Sequence, residues 1–138
     1  MILCDSRVLL WWGTANPGLG ARTRAFMQEA AAAEVLAISQ ASWWQMVRWH
    51  QTNRLHLAGW ASASAWLRHL ELALNLQTVM LSPVIMERAL HRTSVSAYWQ
   101  KLEPSARYIL ATAIQHRATL LAGYGPLQCA PMVRVIRP

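Results

Sequence analysis

Lysine and acid are the scarce residues of this chain. Lys101 is the only lysine among 13 basic side chains, and only 6 side chains are acidic, which leaves a formal net charge of +7. Such a surplus of arginine has two explanations. A GC-rich genome encodes alanine and arginine freely, and arginine also pairs well with phosphate, so the functional explanation is a polyanionic partner. Charged residues make up 14% of the chain and apolar residues 54%. That balance excludes a disordered polyelectrolyte and supplies a sizeable core. The two cysteines, Cys4 and Cys129, have no metal-ligand spacing and read as free thiols of a reducing cytosol. No apolar run reaches the roughly 18 residues of a membrane helix; the stretch from Ala30 to Ile38 is short and contains Glu34. Asp5 and Arg7 interrupt the N-terminal apolar run, which argues against a signal peptide and for a cytoplasmic protein with no membrane partner. With no internal repeat, low-complexity tract or linker, the expectation is one domain over residues 1–138.

The remaining residues alternate between two kinds of segment. Short apolar runs at Met1–Cys4, Val35–Ile38, Thr78–Leu81, Thr119–Ala122 and Met132–Ile136 read as buried strands. Between them lie helical patterns. Leu19–Ala33 carries Phe26, Met27 and Ala30 on one face, after a turn at Asn16-Pro17-Gly18. Ser39–Asn53 carries Trp43, Met46, Val47 and His50 as a stripe, and Ala61–Leu74 carries Trp66, Leu67, Leu70 and Leu74. Ser82-Pro83 and Glu103-Pro104 each place proline at the first position of a further helix, the second reaching about His116. Strand–helix alternation of this kind implies an α/β domain with a mostly parallel central sheet of about five strands. Ligands of such sheets bind outside the carboxyl ends of the strands. The residues that matter most are therefore Asp5, Ser39 and its successors, the start of the Glu103 helix, and the loop at Gly123.

Four stretches, in order, resemble the motifs of PIN domains of the bacterial VapC toxin ribonuclease type. MILCDSRVLLWW (Met1–Trp12) is similar to the opening strand, whose Asp is the first metal ligand. ISQASWWQM (Ile38–Met46) is similar to the second motif, where a Trp-Glu pair follows strand two. EPSARYILATA (Glu103–Ala113) is similar to the third motif, an acid, Pro, any residue, an Asp, then Arg and a run ending Ala-Thr-Ala. ATLLAGYGPL (Ala118–Leu127) is similar to the fourth, where an Asp follows a strand, and VRVI (Val133–Ile136) fits the last strand. The resemblance spans nearly the whole chain and implies a three-layer α/β/α PIN-like domain that forms a homodimer.

Carried over residue by residue, the resemblance gives a fold without its acids. Asp5 matches the first acid and Ser6 the hydroxyl that often follows it. Gln45 stands where the second motif has Glu, Ala106 where the third has Asp, and Tyr124 where the fourth has Asp. Glu103 matches the outer acid of the third motif, one helical turn from Ala106. The family's chemistry is metal-dependent: Mg²⁺ or Mn²⁺ polarises the phosphate, activates water and stabilises the leaving oxygen. Such hard cations select carboxylates and water. At an effective dielectric of about 20, each carboxylate about 4 Å from a divalent ion contributes up to about 8 kcal/mol before desolvation. Gln45 keeps a weak oxygen ligand, Ala106 supplies none, and Tyr124 offers a phenol that fills space. The expectation is a non-catalytic or very weak ribonuclease homologue with no bound cofactor. Arg7 and Arg107 would then flank a neutral or positive cleft that binds RNA, an antitoxin-like protein or its own copy. The alternative is an active Mg²⁺- or Mn²⁺-dependent endoribonuclease toxin that uses a rearranged site around Asp5 and Glu103, assisted by Glu87.

Other residues carry plainer readings. Trp11, Trp12, Trp43, Trp44, Trp60, Trp66 and Trp99 have the chemistry to stack on bases, but helical stripes of this kind ordinarily pack a core or a dimer. His50, His56, His69, His91 and His116 lack partners at zinc-ligand spacing. Ser39 and Ser42 read as helix-capping rather than nucleophilic, and Arg48, Arg54, Arg88 and Arg92 as solvated.

Overall fold

The computed structural model describes residues 1–138. Five strands form one sheet: β1 (Ile2–Cys4), β2 (Leu36–Ser39), β3 (Gln77–Val79), β4 (Thr119–Leu121) and β5 (Val135–Ile136). Seven α-helices connect them: α1 (Ser6–Gly13), α2 (Ala21–Ala32), α3 (Gln40–Gln51), α4 (Ala63–Ala73), α5 (Pro83–Val95), α6 (Ala97–Lys101) and α7 (Pro104–Gln115). A 3-10 turn at Gly125–Cys129 precedes β5. Every strand pairing is parallel and the spatial order is β3-β2-β1-β4-β5. No helix is long and apolar enough to cross a membrane.

The three-layer α/β/α arrangement follows from the period-two alternation of the strands. Leu3, Ala37 and Leu120 join the core formed with Ile85, Trp99 and Ile109 of α5, α6 and α7. Their neighbours Cys4, Leu36, Ile38 and Leu121 join a second core with Val8, Met27, Met46 and Trp66 of α1 to α4. The sheet is thus apolar on both faces, and each face is covered by helices.

Several elements differ from the sequence expectation. Helix α1 fills a stretch the sequence left unassigned. Its apolar residues Val8 to Trp12 are contiguous rather than periodic, and the helix is signalled only by its cap: the Asp5 side chain accepts from Val8 N. Strand β3 runs from Gln77 and stops at Val79, because Met80, 62% exposed, has already left the sheet. Strand β5 shrinks to two residues. Helix α6, only one turn long, is started by the Ser96 hydroxyl, which accepts from Trp99 N. The apolar stripes of the Trp43 and Trp66 helices pack within the chain. Trp66 is 2% exposed, and Trp43 Nε1 donates to Thr78 Oγ1 at 2.9 Å.

Glycine is required at the end of α1. A Cβ on Gly13 would lie 2.6 Å from Trp66 Cζ2 and 2.9 Å from Leu70 Cδ2. Trp66 is a rigid ring in a closed core and has nowhere to go. We expect Gly13→Ala to lower the unfolding free energy by about 1–3 kcal/mol through overpacking. The helix-propensity gain of at most about 1 kcal/mol does not offset this. Urea denaturation measures the difference, and equal or greater stability would show that Trp66 yields.

Candidate functional site

The sheet order reverses direction at β1. The chain runs outward from β1 through β2 to β3, then returns to place β4 on the other side of β1. A crevice opens where the order switches, at the carboxyl ends of β1 and β4. Asp5 follows β1 and Tyr124 lies three residues beyond β4. Helix α3 brings Gln45 to the same place, and the first turn of α7 brings Ala106. The four positions that the sequence resemblance aligned with acids line one small cavity, together with Ser6, Arg7, Trp49 and Glu103.

Asp5 is held more firmly than any other polar group in this cavity. It is 1% exposed. Its Oδ1 accepts from Val8 N at 2.8 Å, capping α1, and its Oδ2 accepts from Tyr124 N at 2.8 Å, across 119 residues of chain. Burial pushes its carboxyl above the usual carboxylate range; the amides of Val8, Tyr124 and Gly123 and the Arg7 guanidinium pull the other way. The neighbouring Cys4 thiol is raised first by burial and then by the Asp5 charge, so it is no nucleophile. The loop that carries Tyr124 lies flat on α1: a Cβ on Gly123 would be 3.0 Å from Trp11 Cζ3 and 3.2 Å from Arg7 Cγ. Arg7 places its guanidinium 5.6 Å from the centroid of the Tyr124 ring.

Gln45, 8% exposed, donates from Nε2 to Glu103 Oε2 at 3.1 Å. Ser6, 2% exposed, has a hydroxyl with no partner. Arg107 is not brought to the cleft. Its Nε donates to the carbonyls of Trp99 and Leu102, each at 3.0 Å, and its Nη2 to that of Gln100 at 2.9 Å, so it ties down the end of α6. Glu87 sits exposed on α5, away from the cavity, and cannot assist Asp5. Trp49 lines the cavity although the sequence reading passed over it. The signal was there: it lies four residues after Gln45, on the same face of α3.

A divalent ion of the kind the resemblance implies does not fit these residues. The cavity measures about 20 Å³, room for a single water-sized body. Both oxygens of Asp5 already accept backbone amides, and one oxygen of Glu103 accepts from Gln45. Ala106 offers no donor atom, and nowhere in the chain do three His, Cys, Asp or Glu side chains gather as a metal site. Hard cations need several free oxygens at about 2.0–2.6 Å.

The geometry makes Asp5 a structural clamp, whatever else it does. We expect Asp5→Asn, which keeps the shape but presents an NH₂ group where one oxygen accepted an amide, to cost about 1–3 kcal/mol of stability. Asp5→Ala should cost at least as much, since it removes the helix cap too. A vestigial carboxylate would make both changes neutral in thermal or urea denaturation.

No protein-family profile matches the chain, and no curated protein matches it in sequence. Solved structures do match in shape. A chain of VapBC2 from Rickettsia felis, in a crystal structure bound to a DNA fragment from their promoter, superposes with a TM-score of 0.74 at 14% identity, covering 99% of this chain and 98% of that one. A chain of DNA-bound VapBC from Salmonella typhimurium gives 0.71 at 10% identity, over 99% and 96%. A chain of FitAcB from Neisseria gonorrhoeae gives 0.66 at 20% identity, over 99% and 96%. The likeness is one of fold: this three-layer architecture is shared, over almost the whole length, with chains of VapBC toxin–antitoxin complexes.

Proposed function

We propose that this chain is a PIN-type protein of the toxin–antitoxin kind that has lost metal-dependent cleavage and acts by binding, to RNA or to a protein partner. One observation carries the reading. The cavity at the sheet's switch point keeps one of four acids, and that acid is spent on two backbone amides. Groups that act as a catalytic unit lose most of their effect when one is removed. A cleft in which three of those four positions are neutral also repels phosphate less, and Arg7 lines it. The shared fold with chains of toxin–antitoxin complexes supports an antitoxin-like partner as well.

The test is calorimetry with Mn²⁺ beside cleavage of mixed single-stranded RNA. We expect no tight Mn²⁺ binding, no Mg²⁺- or Mn²⁺-dependent cleavage, and RNA binding that weakens steeply with salt, as counterion release requires. Tight metal binding with cleavage abolished by Asp5→Ala would instead establish a rearranged ribonuclease site around Asp5 and Glu103. The triple change Gln45→Glu, Ala106→Asp and Tyr124→Asp should raise Mn²⁺ affinity at least tenfold. Unchanged affinity would place the ancestral site elsewhere.

The reading includes a homodimer. Exposed apolar side chains support it: Met86, 40% exposed, and Leu90, 63% exposed, lie one turn apart on α5. Light scattering should give twice the chain mass at micromolar concentration, and Met86→Glu with Leu90→Glu should return it to a monomer. A monomeric parent chain would refute the assembly.

A further inference from the structure

Beside the Asp5 cavity, and separated from it by Glu103, runs a wider groove of about 300 Å³ between α3 and the start of α7. It is built differently. Trp44 and Trp49 give it aromatic surface, Arg48 and Arg54 give it positive charge, and Ser105 lies in its floor. The Arg48 guanidinium sits 5.3 Å from the centroid of the Trp44 ring. Arg54 is returned to the groove by the turn that ends α3: Asn53 adopts a left-handed φ of 59°, and Arg54 N bonds Trp49 O at 2.7 Å.

Two further observations point to an anion. Helix α7 has 12 residues, and its N-cap, Glu103, makes no side-chain hydrogen bond to the first turn, so the amides there stay open. Ser62, Ser82 and Ser96 do that work at α4, α5 and α6, whereas Gly20 at α2 offers no side-chain cap either. Independently, Ser105 is only 4% exposed and borders the groove, and its hydroxyl is neither hydrogen-bonded within the chain nor sealed from solvent. A largely buried serine whose hydroxyl stays open at an uncapped helix start, beside two arginines, is chemistry suited to a phosphate. Glu103 is the one opposing charge. Its carboxylate is tied back to Gln45 Nε2, and Arg48 and Arg54 outnumber it.

We propose that this groove binds a nucleotide unit, its phosphate at the α7 start with Arg48, Arg54 and Ser105, and its base against Trp44. The volume suits a base with its sugar and phosphate rather than an inorganic anion alone, and aromatic surface beside arginine suits base stacking. The proposal deepens the non-cleaving reading by moving the binding of a strand out of the Asp5 cavity and into the groove beside it. The chemistry is shared by a free mononucleotide and by one unit of a single strand.

The test is calorimetry of the full chain in EDTA with 5′-adenosine monophosphate, adenosine, inorganic phosphate, a short single-stranded RNA and an acidic peptide, with the Trp44 indole signal followed by NMR. We expect the monophosphate to bind at least tenfold more tightly than adenosine or phosphate and to shift the Trp44 signal. Arg48→Ala with Arg54→Ala, both exposed and safe for folding, should weaken it at least tenfold, and Ser105→Ala a few-fold. Glu103→Gln should tighten it, whereas a metal-bridged nucleotide would be weakened by that change. RNA binding more tightly than the monophosphate, with the same residue dependence, identifies a strand as the source; monophosphate binding alone identifies a free nucleotide. Adenosine binding as well as its monophosphate, or binding untouched by the double arginine change, overturns the proposal. So does binding lost in Arg7→Ala instead, or an acidic peptide binding where no nucleotide does. None of those results bears on cleavage, while Mn²⁺-dependent cleavage would sink the non-cleaving reading and leave a groove measured in EDTA standing.

Discussion

The Asp5 carboxylate joins parts of the chain that the sequence keeps far apart. One oxygen caps α1 and the other holds the amide of Tyr124, so the end of β1, the start of the first helix and the loop after β4 meet at one buried group. The parallel pairing of β1 with β4 makes this geometry available, since parallel strands end at the same edge and their following loops converge there. Once Asp5 is clamped, α1 must leave the sheet at a fixed angle. Its far end then packs on Trp66 so closely that only glycine fits, and Gly123 must lie against Trp11 and Arg7. The chain's one aspartate is therefore fixed by architecture.

The residues around Asp5 have a common electrostatic effect. A cluster of carboxylates is stable only with a cation among them, because like charges a few ångströms apart disfavour one another's ionisation. Around Asp5 the neighbours are neutral or paired: Gln45 donates a hydrogen bond to Glu103, Ala106 carries no charge, and Tyr124 offers a ring to the Arg7 cation. Of the buried side-chain oxygens and nitrogens lining the cavity, the Ser6 hydroxyl is without a partner. The change in sign extends outward: the groove next door presents Arg48 and Arg54 against the single charge of Glu103.

How much of this could be read from the sequence depended on whether the signal was local. The five strands and their parallel order were legible because buried parallel strands are short apolar runs and the intervening helices carry a clear stripe. Helix α1 was not, since its apolar residues run without a break and its only local mark is a cap that doubles as a site residue. The meeting of Asp5, Gln45, Ala106 and Tyr124 was legible through the order of motifs. The partners of Asp5 were not, because a backbone amide 119 residues away leaves no trace in composition. Arg107 shows the limit most clearly. Its charge and its place beside Ala106 suggested a wall of the cleft, but the guanidinium is consumed by three carbonyls at the end of α6. Arg54, read as merely solvated, reaches the groove only because Asn53 turns the chain left-handed.

The same switch point thus supports two different kinds of recognition, distinguished by where charge is placed on it. Carboxylates at the strand ends need a metal to bring a phosphate close, and the phosphate is then cut. Beside the neutral positions around Asp5 lie the start of α7 without a side-chain cap, Arg48 and Arg54, and the indoles of Trp44 and Trp49. These groups do not require a metal to attract phosphate, and they have no means of activating water. The fold and the groove rest on different residues. Leu3, Ile38 and Leu120 in the core hold the sheet, Asp5 closes its edge, and the arginines that meet an incoming anion belong to neither set. The charge presented beside the site can therefore vary in this architecture without disturbing the sheet.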